Sequence, residues 1–279
     1  MTLLYDELTQ ACSKEVTLKY STSFFKAVNL LSPTIQQDIH NIYGFVRFAD
    51  EIVDTFHEHN QEELLNQFEK DFYGALKVGI SLNPILNSFQ KTVLKYDIDI
   101  SLVDAFMRSM KMDLYKTQYT TKEEYEQYIY GSADVVGLMC LKVFVEGDQN
   151  LYESLKDSAM RLGSAFQKVN FLRDIKNDLD VLNRSYFPQV DLENLDEPSK
   201  DGIIKEIQED FEAAQIGIAQ LPLVAKLGVY TAYSYYFELL IKLKKTRPSK
   251  LLETRIRVNN FMKTYLFCKS YLKVKFNFI

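Results

Sequence analysis

Four aspartates stand out by type and spacing. Asp50 and Asp54, in FADEIVDTF, lie four residues apart, and Asp174 and Asp178, in LRDIKNDLD, repeat the interval. On a helix this interval puts both carboxylates of a pair on one face. Each pair has an arginine beside it: Arg47 three residues before Asp50, and Arg173 directly before Asp174. Two like charges so placed repel by about 0.2–0.5 kcal/mol, so the pattern favours a cation between them. Hard carboxylate oxygens suit Mg²⁺, which keeps several waters and is commonly shared with substrate phosphates. A solvated helix face often produces one DxxxD by chance. Two of them, each in an apolar setting (Phe45, Val46, Phe48 and Ala49; Phe166, Val169, Phe171 and Leu172), are harder to explain that way. Asn170 lies four residues before Asp174, and Gln167 seven before it, on a stripe that is otherwise core-facing. Burying an amide and a carboxylate there costs free energy without partners, so the stripe reads as the wall of a ligand cavity.

Other chemistries find less support. Asp54-x-x-His57 is half of a carboxylate-bridged di-iron site, which needs a carboxylate-x-x-His on a second helix. The histidines are His40, His57 and His59, all in the first quarter, so they are expected at the surface. No GxGxxG or GxxxxGK[ST] occurs, which leaves dinucleotide and P-loop sites unsupported. Serine, cysteine and histidine form no local nucleophile signature, although a triad assembled in space stays open. Cys12, Cys140 and Cys268 lie more than a hundred residues apart, which fits neither a zinc knuckle nor a disulfide framework and points to a reducing compartment.

The elements that must position these residues are helical. Gly 10 and Pro 6 in 279 residues are about half of average usage, too few for the closely spaced turns of a sandwich or barrel. A hydrophobic content of 47% with 25% charge excludes a disordered chain. Ser32-Pro33 predicts an N-cap and first turn for a helix from Thr34 to about Phe56, and Asn83-Pro84 repeats the device. Ser101 with Asp104 and Thr121 with Glu124 resemble capping boxes. Asp148 or Asn150 starts a long helix running past Asp178, and Glu197-Pro198 opens another towards Gln220. Pro222 and Pro248 punctuate the last third, and Val190 to Asp201 is a surface loop. The expectation is an all-α chain of roughly ten helices forming one domain over residues 1–279. The N-terminus shows no signal peptide. The best membrane candidate, Val135 to Val145, is short and interrupted by Lys142. A soluble, cytoplasmic protein is expected.

The net charge of −5 conceals an asymmetry. From Lys242 to Ile279 eleven Lys and Arg face Glu253 alone, with Phe261, Tyr265, Phe267, Tyr271, Phe276 and Phe278 interleaved. Such a tail suits nucleic acid, anionic lipid or a phosphorylated ligand, or is simply a solvated last helix. The acidic body argues against nucleic acid. Peripheral contact with the inner face of a membrane is the expectation, with Lys263, Lys269, Lys273 and Lys275 reaching towards lipid phosphates.

Several segments resemble the squalene and phytoene synthases, the head-to-head isoprenyl diphosphate synthases. YSTSFFKAVNLL is similar to that family's serine-and-phenylalanine segment, and IYGFVRFADEIVD to its first aspartate-rich motif. YIYGSADVVGLM resembles the tyrosine-glycine segment, and GSAFQKVNFLRDIKNDL followed by NRSYFP resembles the second aspartate-rich motif. Tyr20, Ser132 and Asp134 depart from the usual pattern. The resemblance implies an isoprenoid-synthase-type helical bundle whose central cavity holds two prenyl diphosphates. It implies that Asp50, Asp54, Asp174 and Asp178, with Asn170, bind Mg²⁺ (Mn²⁺ being an alternative) and that Gln167 supports them. Arg47, Arg173, Tyr43, Tyr236, Ser21 and Ser23 would serve the diphosphates, and Tyr128 the substrate. Phe24, Phe25, Phe45, Phe166 and Phe171 would supply an apolar wall that does not quench a carbocation. Within the family the expected activity is phytoene synthesis from two geranylgeranyl diphosphates, without NADPH. Squalene or dehydrosqualene synthesis from farnesyl diphosphate is the alternative, and a non-catalytic assembly factor of the same fold a more distant one. Oligomeric state is left open.

Overall fold

The helices begin where short polar side chains and prolines satisfy or remove the unpaired N–H groups of a first turn. The computed structural model describes residues 4–181 and 184–279, so Asn183 of the NRSYFP motif lies outside the described residues. The order is α1 (Leu4–Tyr20), α2 (Thr22–Val28), α3 (Pro33–Thr55), α4 (Gln61–Val78), α5 (Pro84–Tyr96), α6 (Ile100–Asp113) and α7 (Lys122–Ile129). A π-helical turn (Tyr130–Asp134) leads to α8 (Val135–Phe144) and α9 (Gln149–Asp180). There follow α10 (Glu197–Ile218), α11 (Leu223–Lys245), α12 (Pro248–Glu253) and α13 (Asn260–Lys275). Among the described residues the chain is all-α, apart from one isolated bridge between Gln118 and Ser185.

Asn83 accepts from the N–H of Ile85 at 3.0 Å, Asp148 from Leu151 at 3.0 Å, and Thr121 and Glu124 form a reciprocal capping box. One capping expectation is corrected. Asp99, not Ser101, caps α6, accepting from the Ser101 N–H at 2.9 Å, and Asp104 instead takes the Tyr73 hydroxyl. Ser32 is the N-cap residue of α3 with Pro33 in its first turn, as expected, although its side chain caps nothing and its hydroxyl instead receives a hydrogen bond from Thr34 at 2.9 Å. There are thirteen α-helices among the described residues rather than about ten. The chain breaks at Ser21, and the C-terminal third is divided again after Lys245 and Glu253.

Helix α9 is the spine, packed against α8, α10, α11 and α12, while α1, α3 and α5 form a second group. In that group Phe45 stacks on Phe89 with ring centroids 4.1 Å apart, among Phe68, Phe72 and Phe106. Phe45 is therefore core and not cavity wall. Phe171 stacks on Tyr186 at 3.9 Å, and Phe25 lies against His40 at 5.5 Å; neither lines the cavity. His57 and His59 are exposed as expected, but His40 is buried. Its burial pushes the imidazole down to about 4, so it packs as a neutral ring.

The π-turn depends on two glycines. A Cβ on Gly131 would lie 2.7 Å from the Ala105 carbonyl oxygen of α6, and one on Gly163 of α9 would lie 2.7 Å from the Ala133 carbonyl oxygen of the turn. The absence of side chains lets α6, the turn and α9 touch backbone to backbone. This places Ser132 and Ala133 in the cavity wall.

Candidate active site

Helices α3 and α9 carry the same gradient. Each presents apolar residues deep in the bundle and polar ones towards its C-terminal end: Ile39, Tyr43 and Val46 before Arg47, Asp50 and Asp54; Leu162 and Phe166 before Gln167, Asn170, Asp174 and Asp178. Between them lies a cavity of about 280 Å³ lined by side chains including Phe24, Tyr43, Val46, Phe144, Phe166 and Tyr236. The aspartates lie outside that lining, one and two helical turns beyond Val46 on α3 and Asn170 on α9, half-buried, where they form a polar mouth. Asp54 and Asp178 both sit in the last turn of a helix, where the helix dipole disfavours negative charge. Compensating cations are therefore needed there.

The structure supplies four arginines. Arg173 donates to Asp174 from Nε at 2.9 Å and again from Nη2, and Arg255 Nε reaches the same carboxylate at 2.7 Å. Arg47 pairs with Glu51 and lies 3.8 Å from Asp50, with its guanidinium 4.5 Å from the centre of the Tyr20 ring. Tyr20, a departure from the family pattern, thus offers an aromatic face to the arginine. Arg184 donates to Asp54 at 2.7 Å and to the Asp113 carbonyl at 3.0 Å.

Even so, negative charge remains crowded. Desolvation and then the charge of Asp54 push Asp50 up to about 8. Desolvation, followed by Asp174 and Asp54, pushes Asp178 up to about 7. The two pairs, far apart in sequence, therefore act on each other through Asp54. Asp113 is likewise pushed up to about 7, chiefly by desolvation. It accepts the Tyr128 hydroxyl at 2.8 Å, while its Oδ1 is buried with no hydrogen-bond partner. The carboxylates are drawn towards arginines, and among the described residues no three metal-ligating side chains converge on one point. The donor set of Asp50, Asp54, Asp174, Asp178 and the Asn170 oxygen is entirely hard oxygen with unneutralised charge. That fits a Mg²⁺ ion completed by water and phosphate rather than a closed protein cage.

The other expected residues divide by location. Tyr236 donates to Asn170 Oδ1 at 3.4 Å and stacks on Phe166 at 4.1 Å. Gln167 donates to Ser132 at 3.4 Å, and Tyr43 stacks on Phe24 at 4.9 Å. Ser21 accepts from the Phe24 N–H at 3.3 Å, and Ser23 receives Lys263 at 2.9 Å. Tyr128 is buried behind the carboxylates, stacked with Tyr119 and Tyr186, and holds Asp113 rather than facing the cavity. Sequence reasoning missed Asp113, Arg184 and Arg255, and it aimed Lys263 at lipid phosphates where the structure turns it to Ser23. Arg184 had a signal, since it stands in NRSYFP; Asp113 has no partner at helical spacing.

The family comparison agrees with this geometry. Residues 17–261 match the family model described as squalene/phytoene synthase. The chain belongs to the squalene/phytoene synthase family. Among its relatives, the chloroplastic phytoene synthase of Daucus carota is 28% identical over 255 residues, covering 85% of this chain and 63% of that one. The phytoene synthase of Arthrospira platensis is 27% identical over 83% of this chain and 82% of its own. The chain spans less than two thirds of the length of the first plant relatives it matches. A solved dehydrosqualene synthase in complex with ligand, 20% identical, superposes with a TM-score of 0.84 over 97% of this chain and 98% of the other. That likeness shows the fold, an isoprenoid-synthase-type helical bundle. In this squalene/phytoene synthase family member, no helix among the described residues is long and apolar enough to cross a membrane.

Proposed function

We propose that the protein is a prenyltransferase that joins two prenyl diphosphates head to head, and specifically a phytoene synthase acting on geranylgeranyl diphosphate. One observation carries the proposal: a cluster of paired carboxylates and arginines lies beside a largely apolar cavity that carries aromatic side chains in its wall. The sequence relatives named phytoene synthase supply the choice within the family. Ionising an allylic diphosphate breaks a C–O bond and leaves the electron pair on the diphosphate, so positive charge is needed at one end. At the other end the carbocation needs a dry wall with no nucleophile.

The chain's own groups meet both needs. Asp50, Asp54, Asp174, Asp178 and Asn170 would hold Mg²⁺, which when bound neutralises diphosphate charge. Arg47 and Arg173 face the same mouth, and a diphosphate drawn there competes with Asp174 for Arg173 and Arg255. Phe24 with Tyr43 and Phe166 with Tyr236 line the cavity as two stacked pairs, and aromatic rings attract a cation. Burial pushes the Tyr43 phenol up to about 12 and raises Tyr236 for the same reason. Both stay protonated and are poor nucleophiles. In the reaction the cation adds across the double bond of the second chain, and loss of a proton closes a cyclopropane. Departure of the second diphosphate, rearrangement and a further proton loss then give the hydrocarbon. Product analysis with geranylgeranyl and farnesyl diphosphates, with and without NADPH, tests the reading. Phytoene formed without NADPH supports it; squalene or dehydrosqualene as the main product replaces it.

A further inference from the structure

Helix α13 is apolar along two opposite stripes. Met262, Leu266, Ser270 and Val274 face inward and pack towards α11. On the opposite side Phe261, Tyr265, Cys268, Leu272 and Phe276 follow one another at intervals of four, three, four and four, the repeat of a single helical face. That face is open to solvent: Phe261 is 83% exposed, Phe276 59% and Leu272 52%. A helix that only closes a bundle has no reason to keep such a row in water.

The charges around it are of one sign. Lys263 and Lys273 turn inward, to Ser23 at 2.9 Å and the Tyr230 hydroxyl at 3.2 Å. Lys269 and Lys275 flank the outer row, each within 6 Å of a tyrosine ring centre, at 5.8 Å from Tyr265 and 5.6 Å from Tyr271. No Asp or Glu occurs from Thr254 to Ile279. A second copy docked through this same face about a two-fold axis would set lysine against lysine. An anionic bilayer complements both features, accepting the aromatic row at the headgroup boundary and pairing the lysines with lipid phosphates.

A second cavity of about 400 Å³ adjoins this helix, between α2, α11 and α13, and Ser21, Ser23, Arg173 and Lys263 share its wall with Leu30, Leu266 and Phe267. It shares Phe24, Ala27, Ala232 and Tyr236 with the central cavity. Its polar lining places it with the groups expected to serve the diphosphates, on the inner side of α13 and away from the outer row.

We infer that the outer face of α13 is a docking surface for anionic lipid. The docking stands on α13 alone and does not depend on the prenyltransferase reading. Flotation of the full chain with phosphatidylcholine vesicles, with and without phosphatidylglycerol and in the absence of substrate, tests it. Binding should be stronger to the anionic vesicles and reversed by high salt. Lys269→Glu/Lys275→Glu should weaken it by more than about tenfold, taking about fivefold per lysine. Leu272→Ser/Phe276→Ser should abolish it, with thermal melting and circular dichroism unchanged because these side chains are solvent-facing. Absent flotation, equal flotation with both lipid types, or variants that bind like the parent would overturn the inference. So would a concentration-dependent dimer lost in Leu272→Ser/Phe276→Ser without any lipid binding, which would assign the face to a second copy.

Discussion

Arg184 donates to Asp54 across 2.7 Å, although the two residues are 130 positions apart in the chain. The same guanidinium holds the Asp113 carbonyl at the end of α6, and its own N–H donates to the Asp178 carbonyl at 2.7 Å. One residue, through its side chain to α3 and α6 and its backbone N–H to α9, therefore ties together the helix ends that form the polar mouth. The segment carrying it is pinned by Ser185, whose N–H donates to the Thr117 carbonyl at 2.8 Å.

Arg184 is 6% exposed, so truncating it leaves Asp54 and Asp113 without their cation. Arg184→Ala should cost about 3–5 kcal/mol of stability, the usual result of breaking a buried ion pair from one side. Arg184→Lys keeps the charge but loses the two-armed reach. It should fold and still lose at least about tenfold in turnover, equivalent to about 1.4 kcal/mol of transition-state stabilisation. Chemical denaturation and steady-state rates measure both. Wild-type turnover in Arg184→Lys would show that the bridge does not position the carboxylates.

Asp50→Asn separates function from stability. Desolvation and the neighbouring Asp54 already favour the neutral form of Asp50, so an amide there relieves repulsion. We expect unchanged or higher thermal stability above the Asp50 value of about 8, together with product formation reduced at least about a hundredfold, as for loss of a principal electrostatic group. The same substitution at a residue of purely structural importance would lower both. Retained activity in Asp50→Asn would remove this residue from the site.

How much of this was legible in the sequence follows from distance along the chain. Asp50 with Asp54, Asp174 with Asp178, and the caps at Asn83, Thr121 and Asp148 are local patterns fixed by helical spacing, and the structure places them accordingly. Phe45 and Phe166 look alike in sequence, each close to an aspartate pair. Yet Phe45 packs among four other phenylalanines and Phe166 stacks on Tyr236 in the cavity, because orientation around a helix is decided by what packs on it. Asp113, Arg184 and Arg255 reach the mouth only through tertiary contacts that no short window contains. His40 was misplaced for a similar reason: burial of a neutral ring against Phe25 leaves no periodic trace.

Removal of metal should show a definite pH signature. Asp178 and Asp50 have folded-state values of about 7 and about 8, against an ordinary 3.8. Between the ordinary and raised values the folded state binds more protons than the unfolded one, so stability falls as pH rises. The contribution present at low pH is lost through about 7 and then about 8. Mg²⁺ binding requires the deprotonated groups. In EDTA the melting temperature should therefore decline across this window. Added Mg²⁺ should raise it more above pH 8 than below pH 7, and should restore turnover stopped by EDTA. Melting unaffected by Mg²⁺ at every pH, with full activity in EDTA, would exclude a divalent cation at these aspartates.

Gly163→Ala tests whether the backbone contact between α9 and the π-turn shapes the cavity. The added Cβ would meet the Ala133 carbonyl oxygen at 2.7 Å and its carbon at 3.0 Å, atoms that cannot turn aside as a flexible side chain would. Overpacking of this kind costs about 1–3 kcal/mol, and relief requires the turn to move away from α9. Ser132 and Ala133 line the cavity, and Gln167 donates to Ser132, so the movement would alter the wall beside the substrate. We expect a lower melting temperature together with a raised KM. Gly74→Ala is the control: nothing lies within 4 Å of its added Cβ, so it should leave KM unchanged and stability equal or slightly higher, since alanine favours the helix by up to about 1 kcal/mol. If Gly163→Ala melted and turned over like the parent, the close approach would have no part in forming the chamber.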